Sequence, residues 1–192
     1  MPVATQTLII ANVLVFLLEF SGGMPIVEWF ALWPGRDFQP WQLVTYSFLH
    51  GSVGHIFFNM LGLYMFGSDI ERLFGTRFYL AYYFVSVVVA GVTHMVITGL
   101  MGAAQTPMVG ASGGIYGLLL AFGWYFPQRR VVLLFPPIPM AARTFVIVFG
   151  ALELVFGVTG TQAGVAHFAH LGGMLGGWLM IEYRRGRFTR RR

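Results

Sequence analysis

A set of side chains that can move a proton or polarise a carbonyl stands in apolar surroundings: His50, His55, Asn59, His94, Ser112, His167 and His170. Ser112 belongs to Gly110-Ala111-Ser112-Gly113-Gly114, at the opening of an apolar run. A helix starting there points unpaired backbone amides, and the positive end of its dipole, at the serine, which suits an oxyanion. A serine hydroxyl needs a base within hydrogen-bond reach, and a histidine one helix away at equal depth, His167 or His170, provides it. The pair has no evident acid. His55 and Asn59 are i and i+4 on one helix face, so with the Ser112 amide they form a set of oxyanion donors. His50 precedes His55 by five residues and falls at or above the start of that helix. Tyr116, one turn below Ser112, is spaced to pack against the imidazole, and equally to sit as an ordinary interfacial tyrosine. Each residue also has a plainer use: Ser112 as a helix N-cap, and His55, Asn59 and His94 as hydrogen-bond links between helices.

The elements that must position these groups follow from composition. Of 192 residues, 57% are hydrophobic and 10% charged, against roughly 25% charged in an average soluble domain. Six apolar runs, at about 7–20, 55–70, 78–100, 112–126, 145–158 and 165–181, are separated by Gly and Pro clusters. A span takes about 20 residues, so the length accommodates one small polytopic domain over 1–192. The runs are expected to be helices, because a lone strand in hydrocarbon leaves its backbone unpaired and nothing here alternates as barrel strands do. The expected fold is an all-α membrane protein, a bundle of six transmembrane helices with both termini cytoplasmic.

Arginine placement sets that orientation. All 12 basic residues are Arg, and with the N-terminus inside only Arg36 lies outside. Six of them form a basic cytoplasmic tail at 184–192, which reads as an anchor beside anionic lipid of the bilayer rather than a nucleic-acid patch. The first run lacks a basic leader and a cleavage site, so it reads as a retained helix. Trp29, Trp33 and Trp41 suit an outer loop lying in the headgroup region. In this topology spans two, four and six all enter from outside, placing His55 and Asn59, Ser112, and His167 and His170 in their first turns. His94 falls near the outer end of span three. Polar side chains inside spans are costly and are functional hypotheses by default, and these share one depth.

Gly113 and Gly117, with Gly172, Gly173, Gly176 and Gly177, read as close-packing surfaces between spans four and six, which draw Ser112 and His170 together. Glu153, in the outer half of span five, is a carboxylate that can orient a histidine or hold a helix contact; the helix contact is the expected role, since nothing in the sequence pairs it with His170. Gly110 to Gly114 matches G-x-S-x-G in letters, but that elbow requires a strand, a turn and a helix in an α/β sheet. There is no H-E-x-x-H and no Cys, so no metal and no cofactor are expected.

At these residues the chain resembles a bacterial rhomboid intramembrane serine protease of the compact six-helix form. The resemblance runs from about residue 11 to 183. It rests on His50, His55 and Asn59 as H-x-x-x-x-H-x-x-x-N; Gly67, Glu71 and Gly75 as G-x-x-x-E-x-x-x-G; Gly110, Ser112 and Gly113 as G-x-S-G; and Ala169, His170, Gly173 and Gly177 as A-H-x-x-G-x-x-x-G. It implies Ser112 as nucleophile, His170 rather than His167 as base, His55, Asn59 and the Ser112 amide as the oxyanion site, and Tyr116 stacked on the base. It further implies single-pass transmembrane substrates cut near the outer face of a bacterial inner membrane. Their path would lie between spans two and five, beneath a movable cap at 159–164. No oligomeric state is read from it. One departure is Gln42, where the family usually has Arg after Trp; an amide lacks the charged bidentate bond, so different loop anchoring is expected. Related pseudoproteases bind clients without cutting them but usually lack the Ser or the His, and both are present here. A transporter would call for repeated halves and broken helices at the midplane, which the sequence lacks.

Overall fold

Each apolar run lies on a helix. The computed structural model describes residues 1–22, 25–35, 37–102, 107–132, 136–161 and 166–189, with 187–189 described by backbone alone. The long elements are α1 (Val3–Phe20), α4 (Val53–Gly62) continuing through a π-helical segment (Leu63–Gly67) into α5 (Ser68–Phe74), α6 (Thr76–Met101), α7 (Ser112–Tyr125), α8 (Ala142–Thr159) and α9 (His167–Thr189). Short helices α2 (Ile26–Phe30) and α3 (Gln42–Thr45) and a 3-10 turn (Tyr46–Phe48) lie between α1 and α4. Among the described residues, three helices, α1, α6 and α8, are long and apolar enough to cross a membrane by length and composition. Side chains such as Leu14, Leu17 and Val158 stay exposed on their outer faces, as expected where lipid replaces water as the solvent.

α4 and α5 form one rod because the backbone stays helical through Gly62 and Gly67. The wide turn lies between the half that carries His55 and Asn59 and the half that carries Glu71. Gly75 then reverses the chain at φ +75°, a conformation that suits a residue without a Cβ. Its amide closes the helix by donating to the Glu71 carbonyl at 2.8 Å.

α7 is the central helix, with Gly113, Gly114, Gly117, Leu118, Ala121 and Phe122 all buried. It meets α9 backbone to backbone: a Cβ on Gly173 would collide with the Gly113 carbonyl, and one on Gly177 would stand 3.1 Å from the Gly117 Cα. Gly172 and Gly176 do not share that seam. They face α6, against Thr93 and Val89 and against Ser86 and Val89 respectively. Residues three and four apart share a helix face, so Gly173 and Gly177 line one stripe while Gly172 and Gly176 line the next.

Two features depart from an all-helical chain with a separate tail. Arg130–Val132 (β1) pairs antiparallel with Pro139–Ala141 (β2), a short ladder that satisfies backbone groups in the connection between α7 and α8. α9 also runs helical into the basic segment, to Thr189. Near that end Asp69 bridges Arg72 at 3.1 Å and Arg129 at 2.7 Å, and the Arg184 guanidinium lies 4.5 Å from the centre of the Phe74 ring. Arg36, the Arg190 to Arg192 end and half of the expected cap, 162–164, lie outside the described residues.

Candidate active site

Ser112 is the first residue of α7, and Ala111 rather than Ser112 is the N-cap, so the hydroxyl is not engaged in capping. Its Oγ lies 2.8 Å from Nε2 of His170, one turn into α9. With the ring proton on Nδ1, the hydroxyl donates to Nε2, the arrangement a general base requires. The close α7 and α9 backbones put a serine and a histidine 58 residues apart within one hydrogen bond. Tyr116 completes the seat of this imidazole, its ring parallel to that of His170 at 6° and 4.3 Å between centres.

His55 and Asn59 come from α4. Ser52 caps that helix by accepting from the His55 backbone amide at 3.1 Å, and the Asn59 side-chain Nδ2 donates to the His55 carbonyl at 2.8 Å. Gly110 holds the approach between α4 and α7. Its φ is +119°, and a Cβ there would stand 2.7 Å from His55 Nε2, so the position suits only glycine. Tyr46 lies behind this loop, a residue that spacing did not single out. Its carbonyl accepts from the Gly110 amide at 2.9 Å and its buried hydroxyl donates to the Val87 carbonyl at 2.7 Å. Together these groups line a cavity of about 530 Å³ that contains Ser112, His170, His55, Asn59, Gly110, Gly113 and also His94.

His50 sits just ahead of α4, 2% exposed, its ring edge-on to His55 at 5.0 Å and its amide donating to Glu19 at 3.1 Å. Burial above all, with the neighbouring His55 second, pushes His50 down to about 4, so it is neutral around pH 7.

Glu153 holds the helix contact expected of it and also stands beside His170. The side chain is buried and joins three helices beside that imidazole: the Tyr116 hydroxyl donates to Oε1, His167 Nδ1 lies 2.6 Å from Oε2, and His170 Nδ1 lies 3.0 Å from Oε1. The last contact is too oblique to be a hydrogen bond. His167 faces away from Ser112, its Nε2 3.0 Å from the Thr161 carbonyl. Among the described residues, Glu153, His167 and His170 are the set able to hold a metal ion, with ligand atoms within 4.8 Å of one another.

Gln42 anchors the first loop despite lacking a charge. It is 1% exposed, its oxygen accepts from the Trp33 and Gln39 amides at 3.2 Å each, and its nitrogen donates to the Trp29 carbonyl at 3.4 Å. Glu71 and Gly67 lie at the opposite end, where Glu71 joins α5 to α1 and α6.

Residues 37–187 match the family profile described as Rhomboid domain. The chain belongs to the rhomboid family. With its apolar helices, this rhomboid is a multi-pass membrane protein. Among curated proteins it is similar to "RHOMBOID-like protein 12, mitochondrial" of Arabidopsis thaliana, 32% identical over 76% of this chain and 47% of that protein. It is also similar to "Rhomboid protease GluP" of Bacillus subtilis, 29% identical over 92% of this chain and 34% of the relative. A third relative is "Rhomboid protease GlpG" of Photorhabdus laumondii, 28% identical over 92% and 59%. The rhomboid chain thus spans between about a third and three-fifths of the length of these curated relatives.

Proposed function

We propose that the protein is an intramembrane serine endopeptidase that hydrolyses peptide bonds of single-pass transmembrane segments near the outer membrane face. The observation that carries this reading is the 2.8 Å contact between Ser112 Oγ and His170 Nε2 in a cavity at a helix N-terminus. In this reading His170 takes the Ser112 proton as the oxygen attacks the scissile carbonyl. The Ser112 amide, His55 and Asn59 receive the oxyanion. His170 then returns the proton to the leaving amine, and water hydrolyses the acyl-enzyme by the same groups in reverse order. The names of two relatives, both rhomboid proteases, support the activity class.

The proposal extends to topology. Residues 1–192 form one domain of six spans with cytoplasmic termini and a basic tail at 184–192, in a bacterial inner membrane, with the site toward the periplasmic or extracellular side. The joining of Arg72, Arg129 and Arg184 to groups at one end of the bundle supports the orientation, since basic residues gather on the cytoplasmic side. Substrates pass laterally between the second and fifth spans, α4/α5 and α8, with residues 159–164 as the cap.

Fluorophosphonate labelling of the folded protein in detergent or bilayer tests the reading without a known substrate. Wild type is expected to label at Ser112, and Ser112→Ala and His170→Ala are expected not to. A folded wild type that resists this probe and a second mechanism-based serine inhibitor overturns the protease reading in favour of client binding.

A further inference from the structure

The base has a third neighbour besides the nucleophile and the stacked tyrosine. Glu153 reaches from α8 into the seam between α7 and α9, 8% exposed, and each of its oxygens is engaged. Oε1 accepts from the Tyr116 hydroxyl and stands 3.0 Å from Nδ1 of His170; Oε2 stands 2.6 Å from His167 Nδ1. Both nitrogens of His167 face acceptors, the second being the Thr161 carbonyl at 3.0 Å. A neutral imidazole has one donor, so this edge of the cluster needs one further proton, held between Glu153 and His167. That proton lies on the Oε2 side and leaves Oε1 turned toward His170.

We propose that Glu153 is a positioning residue for His170, which makes the site a serine, histidine and carboxylate assembly rather than an isolated dyad. The inference rests on the reading of Ser112 and His170 as nucleophile and base. Glu153 acts in two ways. Its bond to the Tyr116 hydroxyl fixes the ring stacked 4.3 Å from the imidazole, so the base cannot rotate away from Ser112. Its Oε1 faces the ring nitrogen opposite Nε2, so when Nε2 takes the Ser112 proton, the positive charge that spreads to Nδ1–H develops beside a carboxylate oxygen. A Coulomb interaction does not need the bond direction that this contact lacks. The geometry therefore supports the charged base without passing a proton to Glu153. The other titratable groups toward His170 are His167 on α9, His55 on α4 and, across the cavity, His94 on α6.

Glu153→Gln is the test, because the amide keeps the volume and can still accept from Tyr116. Two readouts are taken on wild type and variant: the pH profile of the fluorophosphonate labelling rate, and the NMR titration of the His170 imidazole, assigned by its disappearance in His170→Ala. An unchanged melting temperature checks the fold. Expected in Glu153→Gln are a labelling rate about tenfold lower at neutral pH, with the acid limb of the profile and the His170 midpoint both displaced from their wild-type positions. Glu153→Asp is expected to restore part of each. A slower rate with unmoved profile and midpoint assigns Glu153 a structural role only and overturns the inference, as does no change at all. If wild type does not label, the protease reading fails separately, and the His170 midpoint still decides whether Glu153 governs this histidine.

Discussion

Oε2 of Glu71 accepts from the Thr5 amide at 2.7 Å while Oε1 accepts from the Ala4 amide at 2.9 Å, so a carboxylate of α5 caps the first turn of α1. α1 has no side-chain cap of its own, since its N-cap position is Pro2. The buried carboxylate answers amides that would otherwise be unpaired, and its charge complements the positive end of the helix dipole. It also accepts from the hydroxyls of Thr5 at 2.8 Å and Thr76 at 3.0 Å. Glu71→Ala is therefore expected to cost about 3 kcal/mol of stability, since bonds to a charged acceptor are each worth roughly 1.5–3 kcal/mol. Unfolding in detergent against denaturant measures it. A loss below ~1 kcal/mol would contradict the capping role.

Gly110→Ala places a methyl against His55 Nε2 at a backbone angle that favours glycine. The strain is on the order of 1–3 kcal/mol, and His55 must move from the cavity wall. Labelling of Ser112 is expected to fall about a hundredfold, the scale of one lost oxyanion donor. Equal labelling rates in variant and wild type would show that His55 has no such part.

Gly173→Ala sets a methyl against the Gly113 carbonyl, and backbone cannot rotate out of the way as a side chain does. The helices must separate where Ser112 meets His170, so both stability and labelling are expected to fall, stability by about 1–3 kcal/mol. Gly99→Ala on α6 is the control, because a Cβ there meets nothing within 4 Å. It is expected to leave labelling intact and to add up to about 1 kcal/mol.

The depressed titration of His50 gives a pH dependence with a definite sign. The folded state takes the proton at about 4, whereas the unfolded chain takes it near 6.5. The unfolded state thus binds more protons between these values, and the stability present above pH 6.5 is lost as pH falls toward 4. The His50 contribution is on the order of 3 kcal/mol across that window. Unfolding midpoints of wild type and His50→Gln should converge or cross on acidification. Parallel curves from pH 7 to 4 would rule this out.

Much of the architecture was legible in the sequence because hydropathy and breaker residues act locally. The first five apolar runs lie within four residues of the helix bounds, whereas α9 runs on to Thr189, eight residues past the sixth run; Gly75 turns the chain between α5 and α6. The small ladder at β1 and β2 was not legible: three-residue strands carry no periodicity, and their pairing is set by the ends of α7 and α8. The sequence shows that Gln42 lacks an arginine's charged bidentate bond but not what anchors the loop instead: its amide satisfies two backbone donors and one acceptor, and a group with both kinds of atom needs no charge to do so.

What the sequence by itself determined was the set of polar groups and their shared depth, since position along a helix follows directly from residue number. Rotation about each helix axis is another matter. Residue spacing alone left His167 and His170 as alternatives, separated by about 60° around α9 in an ideal helix of 3.6 residues per turn. The packing of Gly173 and Gly177 on α7 turns His170 toward Ser112 and His167 toward Glu153 and Thr161. The same rotation sends Gly172 and Gly176 to α6. Glu153 is the sharpest case, because its neighbours come from α7 and α9, and only the packing of three helices brings a carboxylate, a tyrosine and two histidines together. Side-chain direction in a bundle depends on helix azimuth, and azimuth is fixed by contacts between elements rather than within them.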